Sequence, residues 1–441
     1  MNRRKLWRWS IVVALAGFLF GFDTVVISGA DRQLQQLWGS SDLFHGVVVM
    51  GVALWGTVLG AVFGALPTNR LGRRRTLIGI GVLFLVSAIG SALASGPYDF
   101  ALFRLLGGIG IGVSTIVAPA YVSEIAPASE RGRLVALYQF NIVFGILAAF
   151  VSNYLLQDAG ENAWRWMMGV VAVPALAYAV LVLRVPESPR WLVEYRKDRA
   201  GALKVLLEIH PEAEAAAEVA ALELEKSRES PADSSFLWRC RKPLVLAFFM
   251  AFFNQMSGIN AFLYYAPRIF ELAGLGTSAS FLSSVGVGAV NLVFTLLGIA
   301  LIDRHGRRTL MLIGSVGYIV SLGLVSAAFA LHWPGLSIPM FFFLFIAAHA
   351  IGQGAVIWVF ISEIFPNRDR AAGQAFGSTV HWVLAALIPS LVPLLFRVIG
   401  PAAVFLGFCL MMVWQLLWVL ARMPETRGRT LEDLAAAISR R

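Results

Sequence analysis

Two opposite charges stand alone in apolar text. Asp23 sits in the run Phe20-Gly21-Phe22-Asp23-Thr24-Val25, and Arg104 in Phe103-Arg104-Leu105-Leu106-Gly107-Gly108. A lone charge inside a bilayer costs at least about 2.5–3.5 kcal/mol on insertion scales, so each must have a partner or a task. Desolvation raises the pKa of a carboxyl group and a neighbouring guanidinium lowers it. A carboxyl held between those effects can load and release a proton as its surroundings rearrange. The plainer alternative is a permanent ion pair that welds two helices.

A second set is rich in amides. Gln139, Asn254, Gln255, Asn260 and Asn291 interrupt apolar runs, and Trp358 and Trp382 lie well inside such runs rather than at their ends. An amide both donates and accepts, as each hydroxyl of a sugar does. A flat indole face suits the C–H face of a sugar ring. Interhelical hydrogen bonding and plain packing are the alternatives. Gln255 and Asn260 are five residues apart, about 140° around an ideal helix. They can share one cavity only if the helix unwinds near Gly258.

A third set is charged and repeated. Arg70, Arg73, Glu124, Arg131 and Glu187 have counterparts in Arg304, Arg307, Glu363, Arg370 and Glu425, and Arg190 follows Glu187 in the first half. Ion pairs among them that join two halves of the molecule only when a gate is shut would bias a conformational equilibrium. Topological anchoring alone explains the arginines but not the repeated glutamates.

The elements that carry these residues follow from composition. The 441 residues are 58% hydrophobic and 14% charged, against about 25% charged in soluble domains. Charge this sparse cannot cover a water-facing surface. The net charge of +10 comes from basic residues placed between apolar blocks, which reads as membrane anchoring rather than nucleic-acid binding. Cys240 and Cys409 lie on opposite sides of any sensible topology and imply no structural disulfide. A bilayer needs about 20 apolar residues per helix. Twelve such blocks occur, near 9–30, 44–66, 76–95, 99–122, 134–156, 165–184, 243–272, 279–302, 309–331, 338–362, 372–396 and 401–421. Only Arg32, Arg104, Arg165, Arg268 and Arg397 fall outside or in the outer membrane half, so both termini are expected in the cytoplasm. The Glu- and Ala-rich segment 191–242 contains no spanning block. It reads as short cytoplasmic helices between an N-terminal six-helix half, 1–190, and a C-terminal half, 243–441.

The halves repeat each other. Asn69-Arg70-Leu71-Gly72-Arg73-Arg74 recurs as Asp303-Arg304-His305-Gly306-Arg307-Arg308, Ser123-Glu124-Ile125-Ala126-Pro127 as Ser362-Glu363-Ile364-Phe365-Pro366, and Pro186-Glu187-Ser188 loosely as Pro424-Glu425-Thr426. Three motifs in one order at nearly one offset mean a duplicated unit. Parallel repeats of this kind build transporters whose substrate binds near the midplane between the halves.

Taken together, these motifs resemble the sugar porter family of the major facilitator superfamily, bacterial xylose–proton symporters most of all. The resemblance includes Gly21-Phe22-Asp23, both Gly-Arg-Arg loops, Pro186-Glu187-Ser188-Pro189-Arg190, Gln255-Met256-Ser257-Gly258-Ile259-Asn260 with Tyr264-Tyr265, and Pro424-Glu425-Thr426-Arg427-Gly428. It implies an all-α membrane fold that imports a monosaccharide with a proton by alternating access. Asp23 and Arg104 would then be the coupling pair. Phe20, Tyr264, Gly354 and His381 would join the amides and tryptophans at the sugar. It further implies a bacterial inner-membrane protein working as a single chain, with a proton as coupling ion and no other cofactor. Three features depart from the family. Gly352-Gln353-Gly354-Ala355-Val356-Ile357-Trp358 lacks the usual prolines and leaves glycine alone to form a hinge. Asn254 replaces a glutamine. His381 replaces an amide, and His349 lies a turn before Gly352. The histidines either tune substrate choice or are satisfied core residues. A facilitative uniporter, a drug–proton antiporter and a sugar sensor remain as rivals, the last disfavoured by a tail that ends at Arg441. No metal-ligand spacing, nucleophile elbow or nucleotide loop supports an enzyme.

Overall fold

The computed structural model describes residues 2–227, 236–333, 335–366 and 369–428. Within them all regular structure is helical. Apolar text leads to helices because a bilayer offers backbone N–H and C=O groups no other partner. Eleven helices are long and apolar enough to cross a membrane, and a pair bent by 42° brings the number to twelve. The first six are span 1 (Arg3–Leu37), span 2 (Asp42–Met50 with Val52–Phe63), span 3 (Arg73–Leu93), span 4 (Pro97–Ile125), span 5 (Glu130–Leu156) and span 6 (Ala163–Val182). The second six are span 7 (Arg241–Leu272), span 8 (Thr277–His305), span 9 (Arg307–Ala330), span 10 (Ser337–Glu363), span 11 (Arg370–Val398) and span 12 (Gly400–Ala421). Large apolar side chains such as Leu93, Leu155 and Val173 point outward and stay exposed. An apolar belt of this kind on a twelve-span bundle is the surface of a multi-pass membrane protein.

An even number of spans leaves both ends of the described chain on one side, the terminal face; the opposite side is the far face. Between the halves run short helices at Arg199–Leu207, Glu212–Ser227 and Phe236–Arg239. This linker touches the start of span 1 through the Asn2 N–H donated to the Ile209 carbonyl at 2.6 Å and the Lys5–Glu208 pair. It meets span 11 through Arg239, whose guanidinium donates to both Asp369 oxygens at 3.0 and 2.8 Å. Residues 228–235 of the expected linker, and the tail beyond Gly428, lie outside the described residues.

Three spans are interrupted. Span 2 bends at Gly51, a feature the apolar run at 44–66 did not signal. Span 7 breaks where the spacing of Gln255 and Asn260 requires it, at Gly258, whose φ of +81° is left-handed. Span 10 carries a π-turn over Ala350–Gly354, which contains Gly352 and Gly354. A Cβ added at Gly352 would lie 2.9 Å from the Gly314 Cα on span 9. The glycines around Arg104 have a packing role as well: Gly108 and Gly112 on span 4 press on the span 2 backbone at Ala53 and Thr57, the close approach that small residues allow in membranes.

The two halves meet toward the far face. Gly288 of span 8 packs on Leu147 of span 5, and Gly46 and Gly51 of span 2 on Ser390 of span 11. Gly258 gives a direct test of the break in span 7. Any side chain there would carry left-handed strain, of order 1–3 kcal/mol, and would collide with the Phe408 ring. Gly258→Ala is expected to lower the thermal unfolding midpoint of the purified protein. Gly132→Ala, in a helix with open space around the added methyl, should leave the midpoint unchanged or slightly higher.

Candidate functional site

At the centre, span 4 delivers Arg104 to span 1. The guanidinium Nη1 donates to Asp23 Oδ1 at 2.6 Å and Nη2 to the Asp23 backbone carbonyl at 3.0 Å. Both residues are buried, at 0% and 1% exposure. Asp23 Oδ2, Arg104 Nε and the Tyr264 hydroxyl have no hydrogen-bond partner among the described residues. Tyr264 lies within electrostatic reach of the pair. Asp23 Oδ2 lies 3.5 Å from where a Cβ at Gly107 would stand, at ordinary contact distance.

The amides gather beside the break in span 7. Asn260 Nδ2 donates to Gln255 Oε1 at 2.8 Å, which the left-handed turn at Gly258 makes possible. Gln255 Nε2 donates to Asn254 Oδ1 at 2.9 Å and lies 3.3 Å from the ring nitrogens of His381. The His381 ring stands between Trp358 and Trp382, 5.0 Å from each centroid to centroid, and Phe20 of span 1 meets Trp382 at 5.6 Å. Trp358 remains 39% exposed whereas Trp382 is buried. Residues from both halves thus share one aromatic and amide cluster. The two histidines separate in role: His381 belongs to the cluster, while His349 Nδ1 pairs with the Tyr318 hydroxyl and borders Gly354. Asn254 is buried behind Gln255 rather than open to the cluster. Gln139 on span 5 is half-buried, and Asn291 on span 8 accepts from Thr295 within its own helix; neither joins the cluster by a hydrogen bond among the described residues.

Among the described residues, and with the far face closed, the charged motifs pair within each half. Arg73 binds both oxygens of Glu124, at 2.7 Å for the shortest contact, and Glu187 accepts the backbone N–H groups of Arg73 and Arg74. In the second half Arg307 binds Glu363 at 2.8 Å, and Glu425 accepts the N–H groups of Arg307 and Arg308. The cause is local. Each Gly-Arg-Arg loop opens a helix, span 3 or span 9, whose first N–H groups are free and whose dipole attracts an anion. Of the other expected members, Arg190 approaches Glu194 and Arg131 the Ala126 carbonyl. Arg70 and Arg304 are exposed, and Arg370 is half-buried.

The ion pairs and hydrogen bonds that do join the halves, among the described residues, lie at the far face. Arg268 of span 7 reaches Asp31 of span 1 at 3.4 Å and Gln35 at 2.9 Å. Asp31 is also held by His45 of span 2 at 2.7 Å, both side chains being buried. Arg32 pairs with Glu271 at 2.8 Å and Arg397 with Asp42 at 2.9 Å. A polar cavity of about 260 Å³ opens among Ser28, Arg32, Gln36, Gln157, Arg268 and Glu271. Arg32, Arg268 and Arg397 were expected on this side without a task; Asp31, before Arg32-Gln33, and His45, at the start of an apolar run, were the missed signals.

A protein-family profile described as Sugar (and other) transporter matches residues 9–437. The chain belongs to the sugar porter family of the major facilitator superfamily. It is 35% identical to the arabinose-proton symporter of Bacillus subtilis over 96% of this chain and 93% of that protein. It is similar to the inward-open structure of the xylose transporter XylE from Escherichia coli, with 30% identity, 98% and 99% of the two chains covered and a TM-score of 0.87. Against the proton:xylose symporter XylE bound to 6-bromo-6-deoxy-D-glucose, with 31% identity and 99% and 100% covered, the TM-score is 0.80. This sugar porter family member is a secondary transporter rather than an enzyme.

Two outcomes follow from the charge pattern. Burial pushes the Glu425 carboxyl up, but the N–H groups of Arg427, Arg307, Arg308 and Thr426 outweigh it and hold the group below the ordinary glutamate range. Its contribution to stability is therefore complete above the unfolded glutamate pKa and is lost as pH falls through the lowered folded value. Glu425→Gln is expected to flatten the acid limb of the unfolding midpoint against pH. At the far face, Arg268→Gln should raise thiol labelling of Ser28→Cys in a background without Cys240 and Cys409. Labelling equal to that of the parent would show that the Arg268 contacts do not hold this face shut.

Proposed function

We propose that this chain imports a monosaccharide together with a proton by alternating access, from the bacterial inner membrane, with both termini in the cytoplasm. The observation that carries the reading is the buried Asp23–Arg104 pair, whose carboxylate keeps one oxygen, Oδ2, without a protein partner. Protonation at Oδ2 would weaken the pull on Arg104 and loosen span 1 from span 4. A facilitator has no need of an ionised pair in this place. The names of the relatives, a proton symporter for arabinose and one for xylose, support the same reading.

Gln255, Asn260, Trp358, His381 and Trp382 would hold the sugar, with Phe20 closing from the N-terminal half. The amides supply donors and acceptors for ring hydroxyls and the indoles cover the C–H face. Gln139, Asn291, Tyr264 and Gly354 would complete the site as the halves close on the substrate, and Asn254 would act through Gln255. With the termini cytoplasmic, a sealed far face means an inward-facing state, and the higher TM-score to the inward-open relative agrees with it. The halves 1–190 and 243–441 would rock as units about the sugar, and one chain suffices because both contribute to one site. A membrane potential of about 100 mV supplies about 2.3 kcal/mol per proton charge, enough for roughly 40-fold accumulation.

Proteoliposomes decide the matter. With an inward proton gradient, the wild type should accumulate one or more monosaccharides from a labelled panel. Asp23→Asn should abolish accumulation while retaining binding and exchange down a sugar gradient, because asparagine imitates the neutral carboxyl in shape. Gln255→Ala or Trp358→Ala should instead weaken binding. Accumulation that survives Asp23→Asn removes the coupling assignment, and a wild type that only equilibrates sugar is a uniporter.

A further inference from the structure

We propose that Gln353, Gln415 and Ser315, none of which lies at the sugar site itself, hold the amides of that site in a common orientation through a continuous chain of buried amides. The inference rests on the sugar-import reading above. The chain crosses four spans. Asn260 Nδ2 donates to Gln255 Oε1 at 2.8 Å, Gln255 Nε2 to Asn254 Oδ1 at 2.9 Å, and Asn254 Nδ2 to Gln353 Oε1 at 3.4 Å. Gln353 Nε2 then donates to Gln415 Oε1 on span 12 at 2.6 Å, and Gln415 Nε2 to Ser315 Oγ on span 9 at 2.7 Å. The Ser315 hydroxyl finally donates to the Met311 carbonyl at 2.7 Å. Gln353, Gln415 and Ser315 are each at 0% exposure, and Asn254 and Gln255 at 3% and 1%.

A carboxamide can turn end for end at little steric cost, so a row of amides could run in either direction. Ser315 can end the row in either sense, because its hydroxyl both donates and accepts. What the row fixes is that its amides turn together. Turning one amide alone would leave buried like groups facing each other, at a cost of about 1–3 kcal/mol for each unsatisfied group. Asn254, Gln255 and Asn260 are therefore held in a common sense by Gln353, Gln415 and Ser315, on spans 9, 10 and 12 away from the cluster. The π-turn of span 10 contains Gln353, so the turn that replaces the usual proline hinge also inserts the middle amide. These three are positioning residues: they act on the sugar through Asn254, Gln255 and Asn260.

The test uses the full-length protein in detergent and the monosaccharide that the wild type binds most tightly, with its C-epimers as a panel. Ser315→Ala removes the terminal acceptor and Gln415→Met removes both amide functions at nearly constant volume, whereas Ser315→Thr keeps the hydroxyl. In calorimetry Ser315→Ala and Gln415→Met should raise Kd about three- to tenfold, the scale of one net hydrogen bond, and should change the preference among epimers. In proteoliposome exchange KM should rise while the maximal rate is retained. Ser315→Thr should restore the wild-type values. Unfolding midpoints are measured alongside. A variant that lowers the midpoint while leaving Kd and epimer preference unchanged overturns the proposal and makes the chain structural only. If Gln415→Met does not fold, Ser315→Ala decides by the same criteria. Wild-type binding with unchanged variants sinks this inference alone, whereas a wild type that binds no monosaccharide sinks the import reading and this inference together.

Discussion

Two opposite charges 2.6 Å apart, with no exposed surface between them, bring span 1 and span 4 into register. Neither residue could remain ionised in this apolar interior alone, because removing one partner from a buried pair leaves an uncompensated charge. Other features accommodate this constraint. Gly107 leaves room for Ser87 of span 3 beside the pair, and glycines on span 4 allow span 2 to press close behind. Tyr264, beyond the break in span 7, lies within electrostatic reach of the pair from the other half.

The distribution of the remaining charge decides how the molecule can move. At the terminal face the repeated arginines and glutamates fasten helix starts to their own half, through backbone N–H groups as well as side chains. Each half is riveted internally there. The far face is different: Asp31, Arg32 and Asp42 on one half meet Arg268, Glu271 and Arg397 on the other. Those pairs must separate for the far face to open, and they are partly desolvated, so their separation has to be offset by new contacts elsewhere. Closure on the side of the far face and freedom on the other are what a rocking mechanism requires of one of its end states.

Helix irregularity supplies the chemistry in between. A continuous helix would place Gln255 and Asn260 on different faces; the left-handed turn at Gly258 puts them in hydrogen-bond contact. The π-turn in span 10 has a like effect for Gln353. In both places the helix gives up regular backbone bonding where polar side chains are at hand, the arrangement that non-helical backbone at membrane depth tolerates.

Much of this was legible in the chain. Apolar block length reports spans directly, a repeated motif reports duplication, and a charge in apolar text reports a site, so the spans, the two halves and Asp23 with Arg104 needed no coordinates. The unwinding at Gly258 was legible too, from simple helix geometry. The partners were not. Glu124 and Glu187 read equally well as bridges between halves until the helix starts at Arg73 and Arg307 were seen to take the glutamates. Gln415, a lone amide in the apolar run of span 12, was visible but had no direction, because its partner Gln353 lies 62 positions away in sequence. The bend at Gly51 and the far-face pairs were hidden for the same reason. Composition and periodicity describe what each span needs from its surroundings. Which span answers that need, and which face of the molecule is shut, depend on how whole helices dock, and only the tertiary structure decides that.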